Sequence, residues 1–142
     1  MRKIHLAGFL ILCLATLPAL AQRANLIADI PFSFYAGDEL MSAGRYTVTQ
    51  PHLTSTLVRG VESKKAAILG NFFTKLREPT TSGGYLLFHQ YPDGRRFLAE
   101  AWMPFLDTGA QMVPSRKEKE SVSSRVVTQA RPTRLIVLAT VR

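Results

Sequence analysis

Tyr85-Leu86-Leu87-Phe88-His89-Gln90-Tyr91-Pro92-Asp93-Gly94-Arg95-Arg96-Phe97-Leu98-Ala99-Glu100-Ala101-Trp102-Met103 decides the fold class. Two apolar and aromatic runs, 85–91 and 95–103, flank Pro92-Asp93-Gly94. Proline presets φ for the first turn position, aspartate suits the second, and glycine takes the left-handed one. That is the chemistry of a three-residue hairpin loop with a bulge. The loop sets Tyr91 opposite Arg95, His89 opposite Phe97 and Leu87 opposite Ala99, and places Leu86, Phe88, Leu98 and Trp102 on one face. Apolar residues stand on both faces, so the hairpin is expected to be central and covered on both sides.

Outward from the hairpin, short β-prone runs alternate with turn signals. Leu26 to Ala36 reads as a strand, with Pro31 at an edge or bulge because it has no N–H. Gly37-Asp38 and Ala43-Gly44 are turns around a short Leu40-Met41 bridge. Arg45 to Thr49, Thr54 to Val58 and Ala66 to Phe73 follow as strands, with Pro51-His52 breaking the first of them. Lys75 to Gly84 is a loop, and Gly83 within it carries no conformational demand. Pro104 to Pro114 is irregular. Ser115-Arg116-Lys117-Glu118 fits a capping box, in which Glu118 reaches back over a short helix from Arg116 to about Ser121. Ser121 to Pro132 is a polar loop, and Arg134 to Val141 is a buried closing strand. The pattern predicts an all-β single domain, a β-sandwich or small barrel of about seven mostly antiparallel strands with one short helix.

The start of the chain reads as an export signal. Met1-Arg2-Lys3 is positive, Leu6 to Leu17 is apolar and uncharged, and Ala19-Leu20-Ala21 puts small residues before a cleavage point. The apolar run is shorter than the roughly 20 residues that a bilayer-spanning helix needs. Cys13 follows Leu12 inside the run, unlike a lipoprotein cysteine. The expected organisation is a signal peptide at 1–21 and a β-sandwich domain at 22–142, exported to the periplasm or beyond. Cys13 is the only cysteine and leaves with the signal, so the mature domain holds no disulfide and no thiolate ligand. Its stability should then be indifferent to reductant. The formal charge of the whole chain is +8, to which Arg2 and Lys3 contribute two. A basic surface favours an anionic envelope component, a glycan or an acidic protein as partner. Export argues against nucleic acid, and after cleavage nothing spans a membrane.

Ile30-Pro31-Phe32-Ser33-Phe34 with Ala43-Gly44-Arg45-Tyr46-Thr47-Val48 resembles a "PF-x-F … PAG-x-Y-x-V" pattern, although Ser42 stands where that pattern has proline. Leu86 to Tyr91 with Phe97 to Trp102 resembles a second block, "L-x-F-x-x-Y … FL-x-x-x-W". Together they resemble an uncharacterised family of small secreted bacterial proteins. The resemblance implies a signal peptide and a β-rich body, and it supplies no site residue.

Nothing in the sequence assembles catalysis. After cleavage only His52 and His89 remain, without the paired spacing of a zinc site. No serine sits in a nucleophile elbow, and no glycine loop precedes the lysine and helix of a phosphate site. Glu100 with Asp93 or Glu78 is a weak two-carboxylate candidate beside Arg95 and Arg96. The expectation is a non-enzyme without cofactor or metal, acting as an interaction or envelope-associated module. A carbohydrate- or small-ligand-binding protein is the alternative, using Tyr85, His89, Tyr91, Arg95 and Trp102 as a stacking surface. A hydrolase is the third reading.

Overall fold

The computed structural model describes residues 25–75, 83–104, 106, 108–124 and 131–141. The expected signal peptide lies outside them, as does most of the loop expected between Lys75 and Gly84. The described chain forms ten strands and one helix: β1 (Leu26–Ile30), β2 (Phe34–Ala36), β3 (Glu39–Met41), β4 (Gly44–His52), β5 (Ser55–Gly60), β6 (Ala66–Lys75), β7 (Gly84–Gln90), β8 (Arg96–Trp102), β9 (Thr108–Met112), α1 (Arg116–Ser124) and β10 (Thr133–Val141). Neighbours run β8-β7-β10-β1-β4-β5-β6-β9, and β9 returns to β8 through Glu100↔Gln111, Ala101↔Ala110 and Trp102↔Gly109. The sheet therefore closes into an eight-stranded antiparallel barrel. β2 and β3 are added outside that ring, joined by one parallel bridge, Tyr35↔Phe97.

The molecule takes the small barrel, the second of the two expected architectures, and not the β-sandwich. The strand missing from the sequence reading is β9, inside the stretch expected to be irregular. Its Thr-Gly-Ala-Gln-Met run has low β-propensity and takes its conformation from β6 and β8 on either side. β4 continues through Pro51 to His52, and a register shift between Thr49 and His52 absorbs the missing proline donor. The single strand expected over Leu26 to Ala36 is split: β1 ends at Ile30, where Pro31 has no N–H to continue the ladder, and Phe34–Ala36 forms the separate β2 beside β3 and β8.

Eight strands enclose a space that side chains can just fill. Tyr46, Phe34 and Phe88 are its largest fully buried occupants. Phe34 meets Tyr46 and Phe88 edge-on, at ring centroid distances of 5.1 and 5.3 Å. The Tyr46 hydroxyl donates to the Ser42 carbonyl at 2.6 Å. One polar pair is buried among the apolar groups and is satisfied there: Thr56 Oγ1 donates to Asn71 Oδ1 at 3.0 Å, and Asn71 Nδ2 donates to the Leu53 carbonyl.

The hairpin loop forms as its residues require. Gly94 N–H donates to the Tyr91 carbonyl, Tyr91 N–H donates to the Arg95 carbonyl, and Gly94 has φ +80°. His89 faces Phe97 as expected. The register then shifts: Phe88 faces Leu98, but Leu87 faces Glu100, not Ala99. The extra residue, Ala99, is a β-bulge that reverses the alternation beyond it. Leu98 and Ala101 point into the barrel, whereas Trp102 turns to the outer face instead of sharing the inner one.

Gly83 also has a positive φ, +75°, so it is not the unconstrained loop position expected from sequence. Gly70 is the better comparison for Gly94. It lies mid-strand without positive φ, and an added Cβ would meet Val113 at an ordinary 3.6 Å. Gly94→Val should cost about 1–2 kcal/mol, the left-handed penalty, since nothing crowds an added Cβ there. Gly70→Val should be neutral or stabilising. Both lose the same glycine entropy on unfolding, so denaturant midpoints compare them directly. Equal midpoints would contradict the loop's role.

β10 is not uniformly buried. Ile136 and Leu138 on its outer face are 62% and 79% exposed. Among the described residues, no helix is long and apolar enough to cross a membrane.

Candidate functional site

All five sequence candidates belong to the hairpin and its tip, and the structure divides them into two clusters. The first lies toward the open end of the hairpin. Trp102 is only 2% exposed and lies across Gly109, where the absence of a side chain makes room for the indole. Tyr85 stacks on it at 5.9 Å. The indole N–H donates to Glu100 Oε2 at 2.7 Å, and Arg134 Nη2 stands 3.9 Å from the other carboxylate oxygen. Burial raises the Tyr85 phenol above its ordinary value, and the nearby Glu100 charge adds to the shift. Glu100 thus serves Trp102 and Arg134, and it makes no close pair with Asp93.

The second cluster holds His89, Tyr91 and Arg95, and α1 covers it. Glu118 is buried against the sheet. Its Oε1 accepts the Tyr91 hydroxyl at 2.9 Å and lies 3.4 Å from His89 Nδ1. Arg95 Nε pairs with Asp93 Oδ2 at 3.1 Å, and Ser121 Oγ donates to that same oxygen at 2.7 Å. Arg95 also reaches Glu120 at 3.8 Å.

Sequence reading assigned Glu118 to the helix cap, and the structure corrects half of that. Ser115 Oγ does accept the Glu118 N–H at 3.2 Å. The Glu118 carboxylate, however, turns inward to Tyr91 instead of back to the cap. The helix start is held from outside as well. Asp38 Oδ1 accepts the Lys117 N–H at 3.0 Å, and this bond holds the Asp38 carboxyl below its usual value despite opposing desolvation. Lys117 Nζ donates to the Asp38 carbonyl and lies over the Tyr35 ring, which stacks on Phe97.

The docking role of Glu118 and Ser121 was missed from sequence, yet a signal exists. Arg116-Lys117-Glu118-Lys119-Glu120-Ser121 is wholly polar, and Val122, the one apolar residue of α1, stands exposed, so the helix docks through polar side chains. Residues 118 and 121 are spaced to share one face, and both are buried.

Chemically, the second cluster is a set of mutually satisfied contacts. Glu118 has a hydroxyl donor and a histidine beside it, but Tyr91 is 5% exposed and the helix lies over the group. Among the described residues no three histidine, cysteine, aspartate or glutamate side chains are grouped to hold a metal ion. Tyr91→Phe should cost about 1–3 kcal/mol, because it removes a donor from a buried carboxylate. Glu118→Gln should cost clearly less, since its amide oxygen still accepts from Tyr91. Denaturant unfolding of both variants tests this, and equal losses would contradict the assignment. Compared with protein-family models, curated proteins and solved structures, the chain matches none.

Proposed function

We propose that this chain is an exported, non-catalytic module of the cell envelope that binds a protein partner through the outer surface of its barrel. The observation that carries the reading is where the polar groups go. Those that could have formed a site on the hairpin are engaged in holding α1 and Trp102, while aliphatic side chains on the outer wall are left open. Ile136, Leu138 and Ile68 are the clearest of these. The filled interior supports the same reading, since Tyr46, Phe34 and Phe88 occupy the space a calyx would offer a ligand. The carbohydrate-binding alternative needs exposed stacking rings, and Trp102 and Tyr91 are both buried. The signal-like start supports export.

The test uses a photo-crosslinking amino acid placed in turn at Ile136, Ile68 and Lys119 in cells that export the protein. Discrete adducts with a protein from at least one surface are expected. The mature chain should begin at Gln22, read by intact mass, and should carry no Cys13. Absence of adducts from all three positions, with the chain folded and exported, would overturn the reading.

A further inference from the structure

We propose that the edge of β10 facing β1 receives an extended segment of a partner protein by strand addition; the inference rests on the reading of the chain as an interaction module. β10 pairs with β7 in unbroken register from Thr133↔Gln90 to Ala139↔Gly84. On its other side, among the described residues, it is in register with β1 only at Thr140↔Ile27 and Val141↔Leu26. Alternate residues of an antiparallel strand direct their N–H and C=O groups to opposite neighbours. From Thr133 to Leu138, half of those groups therefore face a lane in which, among the described residues, no strand is in register with β10.

Side-chain burial marks the same lane. Leu135 and Val137 point into the barrel but are only half-buried, whereas their β7 neighbours Phe88 and Leu86 are fully buried. Outside, Ile136 and Leu138 stand exposed although Leu87, next to Ile136, is buried. An additional strand beside β10 would cover both pairs at once. At the β1 end of this edge an open groove of ≈ 550 Å³ crosses the outer wall over β1, with Ile27 and Asp29 between Leu138 and Thr140 of β10 on one side and Arg45 and Thr47 of β4 on the other.

The lane specifies its occupant. Main-chain donors and acceptors repeating along an edge are matched by another extended main chain, with alternate side chains giving selectivity. Small apolar residues at alternate positions would complete the layer of Leu135 and Val137. Charge sets the rest. Arg131 stands exposed just before β10, at the end farthest from the β1 pairing, whereas Arg134 turns toward Glu100 on β8; Arg96, in register with Gln90 beside Thr133, lies 4.9 Å over the Phe32 ring. An antiparallel segment ends beside Thr133, so the occupant carries an acidic residue at its C-terminal end.

The experiment is amide hydrogen exchange on the folded protein, with and without a short synthetic peptide alternating valine and threonine and ending in aspartate. Without peptide, amides from Thr133 to Leu138 should alternate between slow exchange, bonded to β7, and fast exchange, facing the lane. The peptide should slow the fast set. Its version N-methylated at alternate residues should not, and Arg131→Glu should weaken binding about tenfold, or 1.4 kcal/mol. Uniformly slow amides in the free protein would overturn the inference by showing the lane closed. So would equal binding of the N-methylated peptide, or no binding of either. Protection that rises with protein concentration alone would make a second copy the occupant, against the inference. Crosslinks from Ile68 or Lys119 but none from Ile136 would overturn this edge while leaving the interaction-module reading standing.

Discussion

Gly109→Val is expected to destabilise the protein by about 3 kcal/mol, the upper end of the range for overpacking a close-packed site. A Cβ at Gly109 would fall against the Trp102 ring, within 2.8 Å of Cε2 and closer still to Cδ2. The ring has nowhere to go. Its N–H is held by Glu100, and Tyr85 stacks on it. Valine therefore either expels the indole or forces β8 and β9 apart, and that pairing closes the barrel. Trp102 is the only tryptophan, so its fluorescence reports the outcome directly: emission should shift to the red as the indole is expelled into water. Trp102→Ala alone should cost about 3–5 kcal/mol. In that background Gly109→Val should be neutral or favourable, because valine suits a strand once the ring is absent. Simple additivity of the two costs would refute the account, since residues in direct contact should couple strongly.

The second large effect is expected at Phe88. Phe88→Ala should cost about 3–5 kcal/mol through lost burial and the cavity left behind. The ring is fully buried and meets Phe32 and Phe34 edge-on at 5.2 and 5.3 Å, so truncation opens the contact between the barrel wall and the 32–34 segment. Leu138→Ala provides the contrast one strand away. It removes a comparably apolar group, but one that stands mostly in water, and should cost no more than about 0.5 kcal/mol. Chemical denaturation of both variants measures the difference. Similar losses would mean that the inside and outside of β10 and β7 have been reversed.

Where local chemistry decided the structure, the sequence was legible. Pro92-Asp93-Gly94 closes its loop through bonds that its own residues dictate, and the alternation of Leu26, Ala28 and Ile30 against Asp29 marks β1, although the same reading runs on past Pro31 into what is a separate strand. Distant partners were harder to see. β9 has a weak pattern and owes its conformation to β6 and β8. The bulge at Ala99 leaves no mark in the alternation, so Trp102 seemed to share a face with Leu98. The candidate residues were correctly placed on one hairpin, but what covers them was hidden. A polar helix gives no amphipathic signature, and its docking through Glu118 and Ser121 depends on groups far away in sequence. The open lane beside β10 was equally invisible, because Leu135 to Leu138 reads as a continuously buried run whether or not a neighbour is present.

The pairing of Leu26 with Val141 joins the first described strand to the last. Closing that contact requires a loop running from Leu26 to Val141, so its entropic cost comes before any reward and is expected to slow folding. During synthesis β1 can pair with β4, but the ring has no β10 to complete it until Thr133–Val141 has emerged. For that interval the inner faces of β1 and β7, including Leu26, Leu86 and Phe88, have no wall beside them. A chain in this state exposes apolar surface that favours aggregation, and the length of the delay is set by topology rather than by the strength of any single contact.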